Sequence, residues 1–356
     1  MKTLPCVIIM LLIPAALCAA GFFDPDYVGA LYRDASEQLL SLEGERNTVY
    51  TPAGAALCGA LLCVGASEEE AAACAAAFGL GSDALIENSV KALSYLDKPS
   101  LKKQQVFFSG ALWYRKGARL SPDYAKALES FFGPRALAYE AGEELSRFFE
   151  ELSLRGGEEA DAVSLLACGA AAKPRWTTPA GASRVDYFLP YIGERRALVY
   201  FAAAVRARYY ETERSFFVSM PFAGDAMRLD IYCSESRLQL LEAVRSLGKG
   251  GLPSDNTSER DLLVYMPGTV IESREEPLER LGAKGLRTLG YSHILGKRPM
   301  PVDDLIAKGA LTLEPGEDGE APAAAAELSL CRPFVFVVRD EKYGLPLMAG
   351  VCASCK

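Results

Sequence analysis

Phe334-Val-Phe-Val-Val338 and Leu345-Pro-Leu-Met-Ala-Gly-Val351, joined by Asp340-Glu-Lys-Tyr-Gly344, are two apolar runs separated by a polar stretch that ends in glycine. That is the pattern of a β-hairpin, because apolar and β-branched residues suit a buried pleated surface and glycine permits the reversal. Upstream, residues 198–201, 208–210, 216–221, 227–232 and 262–266 also read as strands. The first half of the chain differs. Residues 24–42 have helical spacing, with Val28, Leu31, Tyr32 and Leu39 on one face. Residues 47–52 read as an extended piece feeding a helix over 53–64, which Gly65 closes. Ser67-x-x-Glu70 is a capping box in which hydroxyl and carboxylate satisfy each other's orphan amides, so the alanine-rich run after it is a helix. A strand over 106–115 and helices over 122–132 and 143–154 follow. Helices early and strands late predict an α+β domain rather than alternating βαβ units.

Composition narrows the function. Lys and Arg number 38 against 46 Asp and Glu, a net charge of -8, which argues against nucleic acid as a partner because phosphate recognition needs a concentrated positive field. A single histidine, His293, rules out a two- or three-histidine metal centre within one chain. No metal, cofactor or catalytic residue is assigned, and the chain is not read as an enzyme. Lys2, the apolar stretch from Leu4 to Leu17 and the small residues up to Ala20 have the order of a secretory leader. The stretch is shorter than the roughly 20 residues of a spanning helix, so no membrane insertion is expected. The expected organisation is a leader at 1–20 and one domain at 21–356, secreted and monomeric. Cys58, Cys63, Cys74, Cys168, Cys233, Cys331, Cys352 and Cys355 could then form disulfides, whose pairing spacing does not give. Asn256-Thr-Ser258 is a glycosylation acceptor in a polar segment.

Several stretches, in order, resemble the serpin family. They are Asn47-Thr-Val-Tyr-Thr-Pro52 with the helix after it, Phe108-Ser-Gly-Ala-Leu-Trp-Tyr-Arg-Lys-Gly117, and Trp176, in the place of a tryptophan that follows a central-sheet strand. Met220-Pro-Phe-x-Gly-Asp225, Met266-Pro-Gly-Thr-Val-Ile-Glu-Ser273, Pro333-Phe334 and Pro346-Leu-Met-Ala-Gly350 follow in the same order. Asn47, Thr51, Pro52, Trp176, Pro333 and Phe334 are the positions that carry the likeness. The resemblance implies an α+β serpin fold of three β-sheets with about eight or nine helices. It also implies an exposed reactive loop, here in 314–332. In an inhibitory serpin a protease cuts that loop, and the freed segment enters the central sheet with the protease attached.

This loop departs from what insertion demands. Between the hinge glycine, Gly319, and Pro333 lie only residues 320–332. Inhibitory relatives are about ten residues longer there, roughly 33 Å of extended chain. If residues 328–331 form a strand of their own, little beyond residues 321–327 stays exposed. Glu320 would point inward on insertion, and shifting the hinge to Gly316 puts Glu317 there instead. Burying an unpaired carboxylate is costly. Pro322 lacks the amide a central strand must donate. Ala323, Ala324, Ala325 and Ala326 resemble the family's small-residue hinge, and they fit a plain surface loop equally well. With Ala321 and Glu327, these residues are the candidate reactive-loop site. Beneath the sheet, where the family has a polar cluster of serine, asparagine and histidine, this chain offers Thr51, Gly54, Cys168 and Ala307. That substitution is what a sheet no longer required to open would tolerate.

The other motifs carry little. Gly290-Tyr-Ser-His293 lacks the second glycine of a nucleophile elbow, Gly248-Lys-Gly-Gly251 lacks the upstream glycine of a phosphate loop, and Lys98, Lys102 and Lys103 read as a solvated face. The expected function is therefore that of a secreted, non-inhibitory serpin-fold protein that binds extracellular partners. Divergence of this kind with a leader kept resembles secreted viral serpins that act on host proteins. The alternatives are a working inhibitor of serine or cysteine proteases with 317–330 as bait, and a small-molecule carrier.

Overall fold

The computed structural model of the protein describes residues 23–42, 46–103, 105–157, 162–176, 178–254, 257–276, 294, 304–315 and 326–355, with the backbone alone over 178–182. Helices dominate its first half. They are α1 (Pro25–Ser41), α2 (Pro52–Cys63), α3 (Glu68–Ala76), α4 (Ser82–Leu96), α5 (Pro99–Lys103), α6 (Pro122–Phe132), α7 (Gly142–Glu151) and, later, α8 (Arg237–Leu247). Local chemistry sets their starts. Asp24 accepts from the Asp26 amide ahead of α1, Thr51 from the Gly54 amide ahead of α2, and Ser67 and Glu70 form the expected capping box of α3. Every residue of α2 is buried, as an apolar helix without a polar face must be.

Two sheets pack around α2. The smaller contains β2 (Val106–Arg115), β3 (Ala136–Tyr139), β4 (Ser164–Ala172), β10 (Thr269–Glu275) and β11 (Asp304–Leu313), in the order β10-β11-β4-β2-β3. The larger contains β1 (Thr48–Tyr50), β5 (Thr178–Phe188), β6 (Arg196–Glu211), β7 (Ser215–Pro221), β8 (Met227–Ser234), β9 (Ser258–Pro267), β12 (Ala326–Ser329), β13 (Phe334–Asp340) and β14 (Pro346–Cys352). The terminal hairpin is β13 and β14, paired antiparallel. Three expectations shift. The strands read at 198–201 and 208–210 are one continuous strand, β6, which pairs with β5 over residues 196–204, with β9 over 200–209 and with β7 over 208–211. That continuity hydrogen-bonds two of the three expected sheets into one. The helix read to residue 154 stops at Glu151, because Ser153 takes a positive φ of 61° and sends Leu152 and Leu154 onto the sheet. The strand read at 328–331 lies at Ala326–Ser329, its register set by parallel pairing with Leu262 to Tyr265 of β9.

Within the five-stranded sheet, β4 and β11 are buried on both faces. Leu166, Cys168 and Ala170 of β4, with Leu305, Ala307 and Leu311 of β11, look into the main core beside α2. Leu165, Ala167 and Ala171, with Ile306 and Ala310, look the other way, under Leu145 and Phe149 of α7. This alternation follows from the period of two in a strand.

Candidate functional site: the seam between β4 and β11

Thr51, Gly54, Cys168 and Ala307 come together at the seam between β4 and β11. β4 and β11 are neighbours and pair in parallel without interruption, from Asp304 opposite Leu165 to Leu311 opposite Ala172. The seam is closed along its whole length.

Its back is filled by α2 and β1. Thr51 Oγ1 accepts from the Gly54 amide at 3.2 Å and donates to the Leu347 carbonyl at 3.0 Å, so its hydroxyl is fully used. Cys168 sits opposite Ala307. A Cβ placed on Gly54 would lie 2.8 Å from Cys168 Sγ, and one placed on Gly309 would lie 2.5 Å from Val49 Cγ1. Glycine is required at both positions because helix, strand and sheet touch there. Of the four positions that replace the polar cluster, only Thr51 retains a hydrogen-bonding group of oxygen or nitrogen in its side chain. The others present a thiol and small apolar surfaces that leave nothing unpaired, which is the inexpensive way to lose buried hydrogen bonds.

The front is crossed by the segment that leaves α7. Leu152 and Leu154 rest on Gly169 of β4, where an added Cβ would come within 2.8 and 2.7 Å of their Cδ1 atoms. The next residue, Arg155, is tied to the far side. Its amide donates to Glu272 Oε1 at 2.9 Å, its guanidinium meets Glu272 Oε2 at 3.1 Å, and its carbonyl accepts from Lys308 Nζ at 2.5 Å. Lys308 is buried in β11 with its ammonium 4.6 Å from the centre of the Phe149 ring. Residues 152–155 therefore strap β4, β11 and β10 together. The strap was not read from the sequence. A lysine within the otherwise apolar run 305–311 was its available signal, since a buried ammonium needs an acceptor.

Of the predicted loop residues, Ala326 and Glu327 begin β12; both are exposed, and Glu327 reaches Arg184 at 3.4 Å. Glu317, Gly319, Glu320, Ala321, Pro322, Ala323, Ala324 and Ala325 lie outside the described residues, as do Asn256, His293 and the 1–20 leader. Asn47 accepts from the Ala353 and Ser354 amides at 2.9 Å each and donates to the Ser354 carbonyl, clamping the chain's last turn. Pro52 opens α2, Trp176 is buried against Phe222 just after β4, and Phe334, after Pro333, is fully buried at the start of β13. A cavity of about 370 Å³ beside α1 is lined by Tyr32, Asp230, Arg339 and Tyr343. Arg339 Nε holds Asp230 at 2.6 Å there, and Arg208, also in the lining, pairs with Glu341 at 2.8 Å.

No protein-family model matches this sequence. No curated protein matches it either. Solved structures do. The thermophilic serpin tengpin in its native state superposes with a TM-score of 0.76 over 93% of this chain and 95% of its own, at 16% identity. This chain has the serpin fold. A tumour-suppressing serpin aligns at TM-score 0.74 and 15% identity, and native protease nexin-1 with heparin at 0.74 and 14%, each over 92% of this chain and 98% of the other. Within the serpin fold, the five-stranded sheet corresponds to the central sheet, and the chain after β11 leads into the candidate reactive loop. No helix among the described residues is long and apolar enough to cross a membrane.

Proposed function

We propose that this chain is a secreted serpin-fold protein that does not trap proteases by loop insertion and acts by binding extracellular proteins through its surface. The observation that carries the reading is the length of chain between β11 and β12. β11 ends at Leu313 and β12 starts at Ala326, which leaves residues 314–325 to do everything an inserting loop must do. Eight residue pairs line the seam, from Asp304 to Leu311 of β11. A reversal at its end takes about four residues, so about eight remain, and all of them would be consumed in filling the seam. Nothing is then left to hold a bait outside, because the next residues are hydrogen-bonded to β9. The segment also carries Glu320 and Pro322, a carboxylate and a missing amide in the strand that would be buried. The small apolar groups around Thr51 support the same reading. Secretion rests on the leader-like order of residues 1–20, and the acceptor at Asn256 fits that compartment.

Incubation of the purified protein with a panel of serine and cysteine proteases tests the reading. The expected products are uncut protein or simple cleavage fragments. A covalent complex that survives SDS, formed at near-equal stoichiometry, contradicts it and restores the inhibitor with 317–330 as bait. For the compartment, expression in eukaryotic cells should deliver the protein to the medium with a sugar that Asn256→Gln removes.

A further inference from the structure

The turn that follows β14 brings two thiols together. Cys352 is the last residue of β14, and its Sγ lies 3.5 Å from Sγ of Cys355. Both residues are buried. The backbone that carries them is held along its whole length. Cys352 is paired with Phe334 in the sheet, Asn47 Oδ1 accepts from the Ala353 and Ser354 amides, and Arg196 Nη1 donates to the Cys355 carbonyl at 3.4 Å. The sulfurs therefore meet through a bend fixed by three other elements of the fold.

The competing thiols are placed elsewhere. Cys233 of β8 and Cys352 of β14 flank the same residue, Phe334, from opposite sides. Two strand spacings, about 9.5 Å, separate their backbones, whereas a disulfide needs Cα atoms within about 7 Å. Cys233 donates to the Arg332 carbonyl instead. Cys331 packs against the cluster around Tyr200, apart from the main core that holds Cys352 and Cys355.

We propose that Cys352 and Cys355 form a disulfide that locks the turn after β14. Sulfurs already in contact need only the last approach to bonding distance, about 2.05 Å. The oxidant is a small disulfide of the glutathione class. A thiolate from one cysteine attacks it and releases one reduced glutathione, and the second cysteine then displaces the other. Each protein thiol loses one proton, the S–S bond forms between Cys352 and Cys355, and the two electrons leave on two molecules of reduced glutathione. Burial, with the adjoining Cys355, holds the Cys352 thiol well above the usual thiol range, so the exchange belongs to folding, before the turn is covered. The bond goes beyond the function proposed above and does not rest on it. Its effect reaches the seam, because the locked turn is what Asn47 grips, and Asn47 leads directly into β1, whose Val49 fills the back of the seam at Gly309.

The test refolds the reduced, denatured full-length chain in mixed reduced and oxidised glutathione, unfolds the isolated monomer in an alkylating agent, and maps it with trypsin. Cleavage after Lys342 gives the peptide 343–356, which contains Cys352 and Cys355 and no other cysteine. In most molecules this peptide should be unalkylated and two hydrogens lighter than its reduced form. The same exchange in concentrated urea measures what the motif does without the fold, and the equilibrium constant of the folded chain should exceed that value about tenfold or more. Alkyl groups on both cysteines, or a link from either to Cys233 or Cys331, overturn the proposal, and so does a constant no larger than the one in urea. Because mapping uses the unaltered chain, no variant has to fold. The protease panel is read separately, so this bond and the non-inhibitory reading can fail independently.

Discussion

Lys308 of β11 donates from Nζ to the carbonyl of Arg155 at 2.5 Å, and Lys308 is paired in the sheet with Gly169 of β4, on which Leu152 and Leu154 rest. One lysine therefore connects the strand on one side of the seam to a strap seated on the other. The buried ammonium has that carbonyl and the face of the Phe149 ring among its partners.

Replacing Lys308 by Met keeps the apolar stem and removes the donor. A hydrogen bond to a charged group contributes about 1.5–3 kcal/mol, so amide exchange in residues 152–157 should accelerate roughly tenfold or more. Hydrogen–deuterium exchange read by mass spectrometry checks this. Unchanged protection would mean that the two leucines on Gly169 hold the strap by themselves.

At Gly309 the back of the seam has no room. Its added Cβ would meet Val49 Cγ1 at 2.5 Å and the Val49 carbonyl at 3.1 Å. Gly309→Ala should therefore destabilise the fold by about 1–3 kcal/mol, the usual range for overpacking. Val49→Ala in the same chain should return part of that loss, and urea unfolding of the two single variants and the double variant measures the coupling. Strict additivity would contradict the contact.

Much of this architecture was legible in the sequence, because period and punctuation carry it. The bounds Val106–Arg115 and Pro122–Phe132 follow from an apolar run and from proline at a helix start, and both stand as read. Where readings slipped, tertiary contacts decided. Nothing local reveals that β6 runs unbroken through Ala202 to Ala207, since that continuity depends on pairing with β9. The end of α7 is set by Gly169 making space for Leu152 and Leu154, a relation between positions far apart in the chain. Of the candidate site, Thr51, Gly54, Cys168 and Ala307 were legible only through the family resemblance.

Asp340 supplies a test by pH. It is fully buried, accepts from the Tyr95 hydroxyl and from the Tyr343 amide at 2.5 Å, and burial outweighs both in pushing its carboxyl above the ordinary value of 3.8. Between the unfolded and the raised folded value the native chain binds more protons than the unfolded chain, so this group makes stability fall as pH rises through that window. Asp340→Asn cannot titrate. Its stability relative to the parent should therefore climb as pH rises from about 4 through the raised value, whatever constant offset the altered hydrogen bonds introduce. Urea midpoints across that range check it, and parallel curves would contradict it.

The closed seam is tested most directly by cutting the chain once between Ala323 and Glu327 and melting it before and after. If the freed segment cannot enter between β4 and β11, the cut leaves Tm unchanged or lowers it by a few degrees, since only β12 loses an attachment. A domain of 150–250 residues gains only about 2–4 °C per kcal/mol, so a rise of tens of degrees would require a new strand in the central sheet and would contradict the account.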